Sequence, residues 1–226
     1  MSPAPLDSTL TTRSAAAALD PALIDAARAL SSATLHEASG KRGALPSAIK
    51  PVAAHFKLCG PAITVHSPGG DNLWIHRALD LARPGEVLIV DVSGSYEHGY
   101  WGEIMSTAAH QRRLGGLVIN GCVRDGALIA QIDFPVFARG LCIRGTGKDF
   151  GARGFINHPL LAGDVVVQAG DLLFADGDGV VAVAAANLAT VIDAARRREA
   201  EEAQILKRIG SGESTLDIYG WRTPPG

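Results

Sequence analysis

The sequence predicts an α/β fold built on a largely parallel sheet, and three observations carry that expectation. From about residue 51 to 120, apolar runs bounded by Gly and Pro alternate with helical segments in the order strand, helix, strand, helix, which gives βαβ units. Hydrophobic residues make up 47% of the 226-residue chain and charged residues 19%, a balance that supports a packed core rather than disorder. Further strand-length runs, separated by Gly/Asp turns, fill residues 136–184.

Taken in order, residues 1–14 are rich in Ser, Thr, Pro and Ala and read as a loose arm with few large apolar side chains to bury. Asp20-Pro21 supplies an N-cap and a proline at the first helical position, and Leu23, Ala26, Ala27 and Leu30 keep helical spacing behind it. Ser31 or Ser32 restarts a short helix over residues 33–39, closed by Gly40, and a polar stretch runs from Lys41 to Lys50. Residues 59–66 read as a strand, 72–81 as a helix, and 86–92 as a strand introduced by Pro84-Gly85. A helix opening at Glu103 continues to about Leu114 and feeds a strand over 117–120. Strands are expected over 136–143, 164–167, 172–175 and 180–184, the last two joined as a hairpin through Asp176-Gly-Asp-Gly179. Asn187 then caps a helix with Leu188, Val191, Ile192 and Ala195 on one face, mostly charged from Arg196 to Arg208. Leu216-Asp-Ile-Tyr219 either folds back on its own domain or packs on a neighbouring subunit.

Charge and cysteine usage narrow the function classes. A net charge of −2 and a pI near 6.4 do not support a nucleic-acid footprint, which needs a basic excess. Cys59, Cys122 and Cys142 are odd in number and lack paired spacing, which argues against a disulfide framework or a zinc site and fits a reducing compartment. The first 14 residues lack the apolar region of a secretory signal, and no apolar run approaches the ~20 residues of a membrane span. The expected location is the cytoplasm.

Chemistry concentrates where the apolar run after Gly115 ends on Arg124 and Asp125. An adjacent cation and carboxylate suit a site holding both an anion and a metal ion. Taken alone, Asp125 reads as a cap for the following Gly-Ala-Leu-Ile-Ala helix. Its place at a strand end, where ligands collect in parallel α/β sheets, adds the reading of a metal ligand, and both can hold. Glu103 in Gly99-Tyr-Trp-Gly-Glu103 reads either as a first-turn acid favoured by the helix dipole or as a second carboxylate for hydrated Mg²⁺ or Mn²⁺. The backbone N–H groups of this glycine-framed loop suit an anionic carboxylate. Asp71-Asn72 reads as a turn and helix cap, with a pocket-lining role open. His36 and His76 lack the clustering of metal ligands. Gly145-Thr-Gly-Lys148 falls short of phosphate-loop spacing, and Lys148 sits in a polar setting that disfavours imine chemistry. No Gly-x-Ser-x-Gly elbow offers a nucleophile.

Glu103, twenty intervening residues, then Arg124-Asp125 resembles the catalytic signature of the RraA-like family, specifically its 4-hydroxy-4-methyl-2-oxoglutarate / 4-carboxy-4-hydroxy-2-oxoadipate aldolases. These are class II pyruvate aldolases of aromatic-compound degradation, and Glu103 stands where members often have Asp. Ala33-Thr-Leu-His-Glu-Ala38, Gly70-Asp-Asn-Leu-Trp-Ile-His76, Pro84-Gly85, Gly163-Asp-Val-Val166, Ala175-Asp-Gly-Asp-Gly-Val-Val181 and Leu216-Asp-Ile-Tyr219 resemble further family blocks in the expected order. The likeness covers roughly residues 20–220. It implies a swivelling β/β/α fold with N-terminal helices, a mixed central sheet, and a C-terminal helix and tail packing on a neighbouring subunit. A flexible arm over 1–19 would precede a single domain over 20–226, assembled as a homotrimer or a dimer of trimers.

Residue by residue, the resemblance implies that Asp125 ligates the metal and Arg124 binds and polarises the pyruvyl group. Glu103 would hold the metal through water, and Glu202 would do so from a neighbouring subunit. Gly102, Glu103, Ile104 and Met105 would offer backbone donors to the substrate carboxylate, with Asn72 also at the substrate. Leu206, where members often place a basic residue, and Ala185-Ala-Asn187, in place of a proline-containing turn, depart from the pattern.

The implied reaction is Mg²⁺- or Mn²⁺-dependent cleavage of a 4-hydroxy-2-oxo acid to pyruvate and a keto acid through a metal-stabilised pyruvate enolate, with oxaloacetate decarboxylation as a side activity. The expected partner is a small 2-oxo acid, with no nucleic acid and no membrane. Two other functions stay open: a non-catalytic regulator that binds an RNase, a group whose members lack the Asp of the Arg-Asp pair, and a metal-dependent lyase or hydrolase for another oxo acid.

Overall fold

The computed structural model describes residues 11–222. Two helices come first, α1 (Pro21–Arg28) and α2 (Ser32–Ala38). Asp20 caps α1 by accepting the Ala22 N–H at 2.9 Å, with Pro21 opening the helix. Ser31 caps α2, accepting from Thr34 N at 3.1 Å. Ser32 is committed elsewhere: its N–H and hydroxyl donate to the Asp176 carboxylate at 2.9 and 2.6 Å.

The chain continues through β1 (Lys50–Pro51), β2 (Leu58–His66), α3 (Leu73–Leu81), β3 (Val87–Asp91), α4 (Glu103–Gln111), β4 (Gly116–Asn120), β5 (Cys122–Val123) and α5 (Gly126–Ile132). Then come β6 (Val136–Ala138), β7 (Gly140–Leu141), β8 (Phe155–Ile156), β9 (Leu160–Ala162), β10 (Val165–Val167), β11 (Leu172–Asp176), β12 (Gly179–Val183), α6 (Leu188–Gly210) and α7 (Thr215–Ile218). The main sheet has the order β1-β6-β4-β3-β2-β11-β12, with β8 also paired to β2. Its β2-β3-β4-β6 part is parallel, as βαβ connections require, while β1, β8, β11 and β12 join antiparallel, so the sheet is mixed. Ala44 bridges Val181, and Lys50 Nζ donates to the Asp178 carbonyl, which curls the β1 edge toward β12.

Burial follows this layering. β4 is buried along its whole length, as a central parallel strand covered on both faces must be. On β11 the side chains alternate: Leu173 and Ala175 join the main core with α3, α4 and α5, whereas Leu172 and Phe174 join a second core with Ala27, Leu35, Leu188 and Ile192. The N-terminal helices and α6 therefore cover one face of the β11-β12 hairpin.

Several expectations are corrected. The strand expected over 136–143 splits into β6 and β7. Arg139 N donates to the Gly121 carbonyl at 3.0 Å and the chain then pairs with β5, leaving the sheet to follow the strand that leads to Arg124. The helix opening at Glu103 stops at Gln111 rather than near Leu114, because Arg113 adopts φ 57° and the Leu114 N–H closes the end on the Ala109 carbonyl at 3.1 Å. Asn187 makes no side-chain cap. A 3₁₀ turn over Ala185–Asn187 opens α6 instead, anchored by the Ala185 N–H on Asp171 Oδ1 at 3.0 Å. The strand predicted over 164–167 is β10, and it pairs antiparallel with β9, for which the sequence carries no expectation. Of the arm over 1–19, residues 1–10 lie outside the described residues. Arg13 N donates to the Ile156 carbonyl at 3.1 Å, so this part of the arm runs along β8. Among the described residues no helix is long and apolar enough to cross a membrane.

Candidate active site

The site is built where β5 ends and α5 begins. Asp125 sits at the N-cap position of α5 in the left-handed region, with φ 59° and ψ 35°. Aspartate tolerates this conformation better than most residues. Its backbone carbonyl accepts the Ile129 N–H at 2.9 Å and so starts the helix, but its side chain does not cap it. Asp125 Oδ2 instead accepts the Glu103 N–H at 3.1 Å, joining two segments 22 residues apart. Gly102 makes this approach possible: a Cβ there would lie 2.4 Å from Asp125 Oδ2 and 3.2 Å from Arg124 Cγ.

Loop 99–103 is fixed by buried aromatics rather than by its glycines. Tyr100 and Trp101 are fully buried. The Tyr100 hydroxyl donates to the Ser95 carbonyl at 2.6 Å and accepts the Gly70 N–H at 2.7 Å, and Trp101 Nε1 donates to Ser106 Oγ at 2.7 Å. Arg124 N donates to the Trp101 carbonyl at 2.9 Å, so loop and Arg-Asp pair are held in one register. Arg124 Nε lies 3.8 Å from Asp125 Oδ2, with the two side chains 48% and 37% exposed, leaving both charges accessible to a ligand. The first-turn N–H groups of Ile104 and Met105 have no intrahelical acceptor and, with the helix dipole, favour an anion.

The remaining wall comes from α3 and the loop over 145–148. Asp71 rather than Asn72 caps α3, accepting the Leu73 N–H at 2.7 Å on Oδ1 while Oδ2 takes the Asp149 N–H. Gly147 N donates to the Gly70 carbonyl at 2.7 Å, so the loop is pinned on both sides of Lys148. Asn72 is buried; its Nδ2 donates to the Tyr100 carbonyl at 2.9 Å, and its Oδ1 has no partner among the described residues. A buried acceptor left unpaired costs about 1–3 kcal/mol, which a ligand donor or water would recover. Burial and the nearby Lys148 lower the pKa of His76 against a smaller opposing effect of Asp71, so the ring is neutral at neutral pH.

These residues enclose a cavity of about 360 Å³. All seven positions expected on one chain, Asn72, Gly102, Glu103, Ile104, Met105, Arg124 and Asp125, line it. Gly99, Tyr100 and Trp101 line it too, but the loop N–H groups expected to meet an anion are partly spent: Gly99 N donates to the Arg144 carbonyl at 2.7 Å, Tyr100 N to the Cys122 carbonyl at 3.1 Å and Glu103 N to Asp125. His76, Thr146 and Lys148 line it without a role assigned from sequence. Glu202 lies outside this cavity of its own chain, on α6, paired with Arg198 at 2.8 Å. Among the described residues no three His, Cys, Asp or Glu side chains gather as a metal cage. The two carboxylates lining the cavity, Asp125 and Glu103, suit a hard cation that keeps most of its water and takes the rest of its oxygens from substrate. They do not suit zinc, which needs at least three side-chain ligands. Two larger cavities, about 580 and 690 Å³, contain neither the Arg-Asp pair nor the start of α4.

Fold and cavity together define an α/β protein with a cavity at its strand ends that brings Arg124 and Lys148 together with the carboxylates of Glu103 and Asp125. A family model described as "RraA-like: Aldolase/RraA" matches residues 21–182, and the chain belongs to the RraA-like family. A protein of Halalkalibacterium halodurans named "Putative 4-hydroxy-4-methyl-2-oxoglutarate aldolase" is 30% identical over 175 residues, 77% of this chain and 82% of the relative. An uncharacterized protein from Pseudomonas syringae superposes with a TM-score of 0.75 at 27% identity, covering 88% of this chain and 97% of the other. Streptomyces coelicolor RraAS2, described as an unusual member of the RNase ES inhibitor RraA protein family, superposes with a TM-score of 0.72 at 26% identity, covering 83% and 97%.

Proposed function

We propose that this chain is a class II aldolase that cleaves 4-hydroxy-2-oxo acids, of the 4-hydroxy-4-methyl-2-oxoglutarate type, to pyruvate and a keto acid. The observation that carries the reading is the convergence of Arg124, Asp125 and the start of α4 on one cavity, with the Glu103 N–H seated on Asp125. Asp125 and Glu103 would hold the divalent cation, Mg²⁺ or Mn²⁺, which when bound supplies a Lewis acid for the keto oxygen and carboxylate. The Ile104 and Met105 N–H groups receive the substrate carboxylate. Arg124 offers its planar fork to the C2 oxygen, where negative charge grows as the C3–C4 bond breaks to give pyruvate enolate. The proton of the C4 hydroxyl would leave toward water near the Glu103 carboxylate, and the enolate carbon C3 would take a proton back from that water to give pyruvate.

Oxaloacetate decarboxylation gives the same enolate and belongs to the proposal as a side activity, as does a place in aromatic-compound degradation in the cytoplasm. Glu202 would serve a neighbouring subunit's site in a trimer or a dimer of trimers, a reading supported by exposed Leu206, Ile209, Leu216, Tyr219 and Trp221 along α6 and the tail. The RraAS2 description supports a second reading, a protein regulator of an RNase, and the presence of Asp125 favours catalysis over it. Pyruvate release from 4-hydroxy-4-methyl-2-oxoglutarate and from oxaloacetate, with Mg²⁺ and then with EDTA, tests the choice. Turnover that survives EDTA would sink the metal-dependent route. Inactivity on both substrates combined with tight RNase binding would favour the regulator.

A further inference from the structure

One of the two larger cavities, about 580 Å³, lies at the ends of β2, β3 and β4 and shares no lining residue with the one that holds Arg124 and Asp125. His66, Asp91 and Asn120 are the last residues of those three strands, and all three line it together with Ser93. His66 links two of the others: its Nε2 lies 3.3 Å from Ser93 Oγ and its Nδ1 3.6 Å from Asp91 Oδ2. Serine, imidazole and carboxylate in that order are the parts of an acyl-transfer centre, which is recognised by geometry and not by chain order. Both distances are loose for working hydrogen bonds, as is common before a substrate binds. The carboxylate is held from behind. Asp91 Oδ1 accepts from Asn120 Nδ2 at 3.1 Å, Asn120 Oδ1 accepts from Arg139 Nε at 2.7 Å, and Arg139 Cζ lies 4.0 Å from the centre of the Tyr96 ring. Ser93 has φ 54°, a left-handed conformation uncommon for serine, with its N–H on Asp91 Oδ2 at 2.9 Å and its Oγ 3.0 Å from the Ser67 carbonyl. Such strain persists only where neighbouring contacts fix it. The Gly94 N–H makes no backbone hydrogen bond among the described residues, and the residue after a nucleophilic serine is the position that supplies an oxyanion donor.

We propose that Ser93 and His66, oriented by Asp91, form a second catalytic centre that hydrolyses carboxylic esters with an uncharged acyl group. The Ser93 hydroxyl turns from the Ser67 carbonyl to His66 Nε2, and Oγ bonds to the ester carbonyl carbon as its proton passes to the imidazole. The C–O bond to the alcohol then breaks, and His66 gives that proton to the leaving oxygen. Water repeats the sequence on the acyl-serine: it loses a proton to His66, its oxygen bonds to the carbonyl carbon, and Ser93 Oγ leaves and takes the proton back. One ester and one water become one acid and one alcohol. Ser93 and His66 are the catalytic residues, whereas Asp91 and Asn120 act through His66 and are positioning residues. The substrate class follows from the wall. Tyr96, Phe155, Leu160 and Leu161 give it apolar surface, the Phe155 ring centre lies 5.9 Å from that of His66, and no Lys or Arg lines the cavity to meet a charged acyl group. His158 lines it too, and its buried Nε2 has no partner among the described residues, so the Nε2–H tautomer has a donor to spare for an ester oxygen.

This centre is independent of the aldolase reading, and EDTA keeps the two apart. A fluorophosphonate, whose phosphorus bonds to the serine oxygen as fluoride leaves, is expected to label the full chain at Ser93, located by peptide mass spectrometry. His66→Asn is expected to slow that labelling about a hundredfold or more, the range of a positioned general base. Saturable hydrolysis of p-nitrophenyl acetate is expected to proceed unchanged in EDTA and to disappear in Ser93→Ala, with thermal unfolding within a few °C of the wild type. Asp91→Asn is expected to lower its kcat at an unchanged KM, a split that a merely structural role would not produce. An unlabelled Ser93 in the wild type, labelling at the wild-type rate in His66→Asn, or saturable hydrolysis that survives Ser93→Ala or stops with EDTA would overturn the proposal.

Discussion

The carboxylate of Asp125 accepts the backbone N–H of Glu103 at 3.1 Å, tying the first residue of α4 to the residue that starts α5. One aspartate thereby fixes the angle between two helix N-termini and still presents a partly exposed charge to the cavity. Most of what can be tested follows from that contact.

Gly102→Ala is expected to cost about a hundredfold in turnover, the effect of displacing a reacting group by about 1 Å. The backbone itself accepts alanine at φ −159°, but the added Cβ would lie 2.4 Å from Asp125 Oδ2. Thermal unfolding within a few °C of the wild type, alongside the lost kcat, separates a displaced carboxylate from a damaged fold.

Arg124→Lys keeps the positive charge and removes the planar fork. A drop in kcat of roughly a hundredfold is expected, with a smaller change in KM, because the fork is needed most where charge develops on the C2 oxygen. Steady-state kinetics decide it, and a pure KM effect would assign Arg124 to ground-state binding.

Stability should carry a pH signature at the contact between α2 and the β11-β12 hairpin. Burial pushes the Asp176 carboxyl up, but hydrogen bonds from the Ser32 hydroxyl and N–H and from the Asp178 N–H, helped by Lys57, outweigh it and hold the pKa below its ordinary value. Stability from such a group is present above the unfolded pKa of about 3.9 and is lost as pH falls through the lower folded value. Ser32→Ala, which removes the 2.6 Å hydroxyl bond, is expected to cost about 2 kcal/mol at pH 7 and progressively less below about pH 4. Urea unfolding at both pH values reads the difference.

Glu202 lies outside its own chain's cavity, and the proposed trimer gives it a role only across a subunit boundary. Glu202→Gln and Asp125→Asn should each be defective alone. Co-expressed, they should recover activity through mixed sites that carry one intact residue of each kind. Mixed oligomers no more active than the single variants would confine Glu202 to its pairing with Arg198.

Much of the fold was legible because its signals are local. The capping of α1 by Asp20 ahead of Pro21 and the apolar runs of β2, β3 and β4 depend on nearest neighbours and periodicity. Tertiary contacts decided the rest. Arg139 and Gly140 interrupt the apolar residues of 136–143 without the length of a turn, yet the chain leaves the sheet there because β5 offers a second partner. Asn187 is a good cap by type, but Asp171 already anchors the turn before α6. At the site, Glu103 and Asp125 could be singled out from charge and glycine framing, and the same pattern left Asp125 readable as the cap of its own helix. Its side chain turns to Glu103 instead, which only the approach permitted by Gly102 allows. Gly145-Thr-Gly-Lys148 is conspicuous for its glycines, but the place of Lys148 on the cavity wall depends on Asp71 gripping Asp149 across 78 residues, a contact with no local trace.

The most direct measurement is the Mg²⁺-dependent exchange of the pyruvate methyl protons with deuterium, followed by NMR in the wild type and in Asp125→Asn. Asparagine tolerates the left-handed backbone and keeps an acceptor for the Glu103 N–H, so this change removes the charge and little else. Exchange that requires Mg²⁺, stops with EDTA and is lost in a folded Asp125→Asn is the expected result. Exchange that persists in Asp125→Asn, or that ignores EDTA, would contradict the assignment of the metal to Asp125.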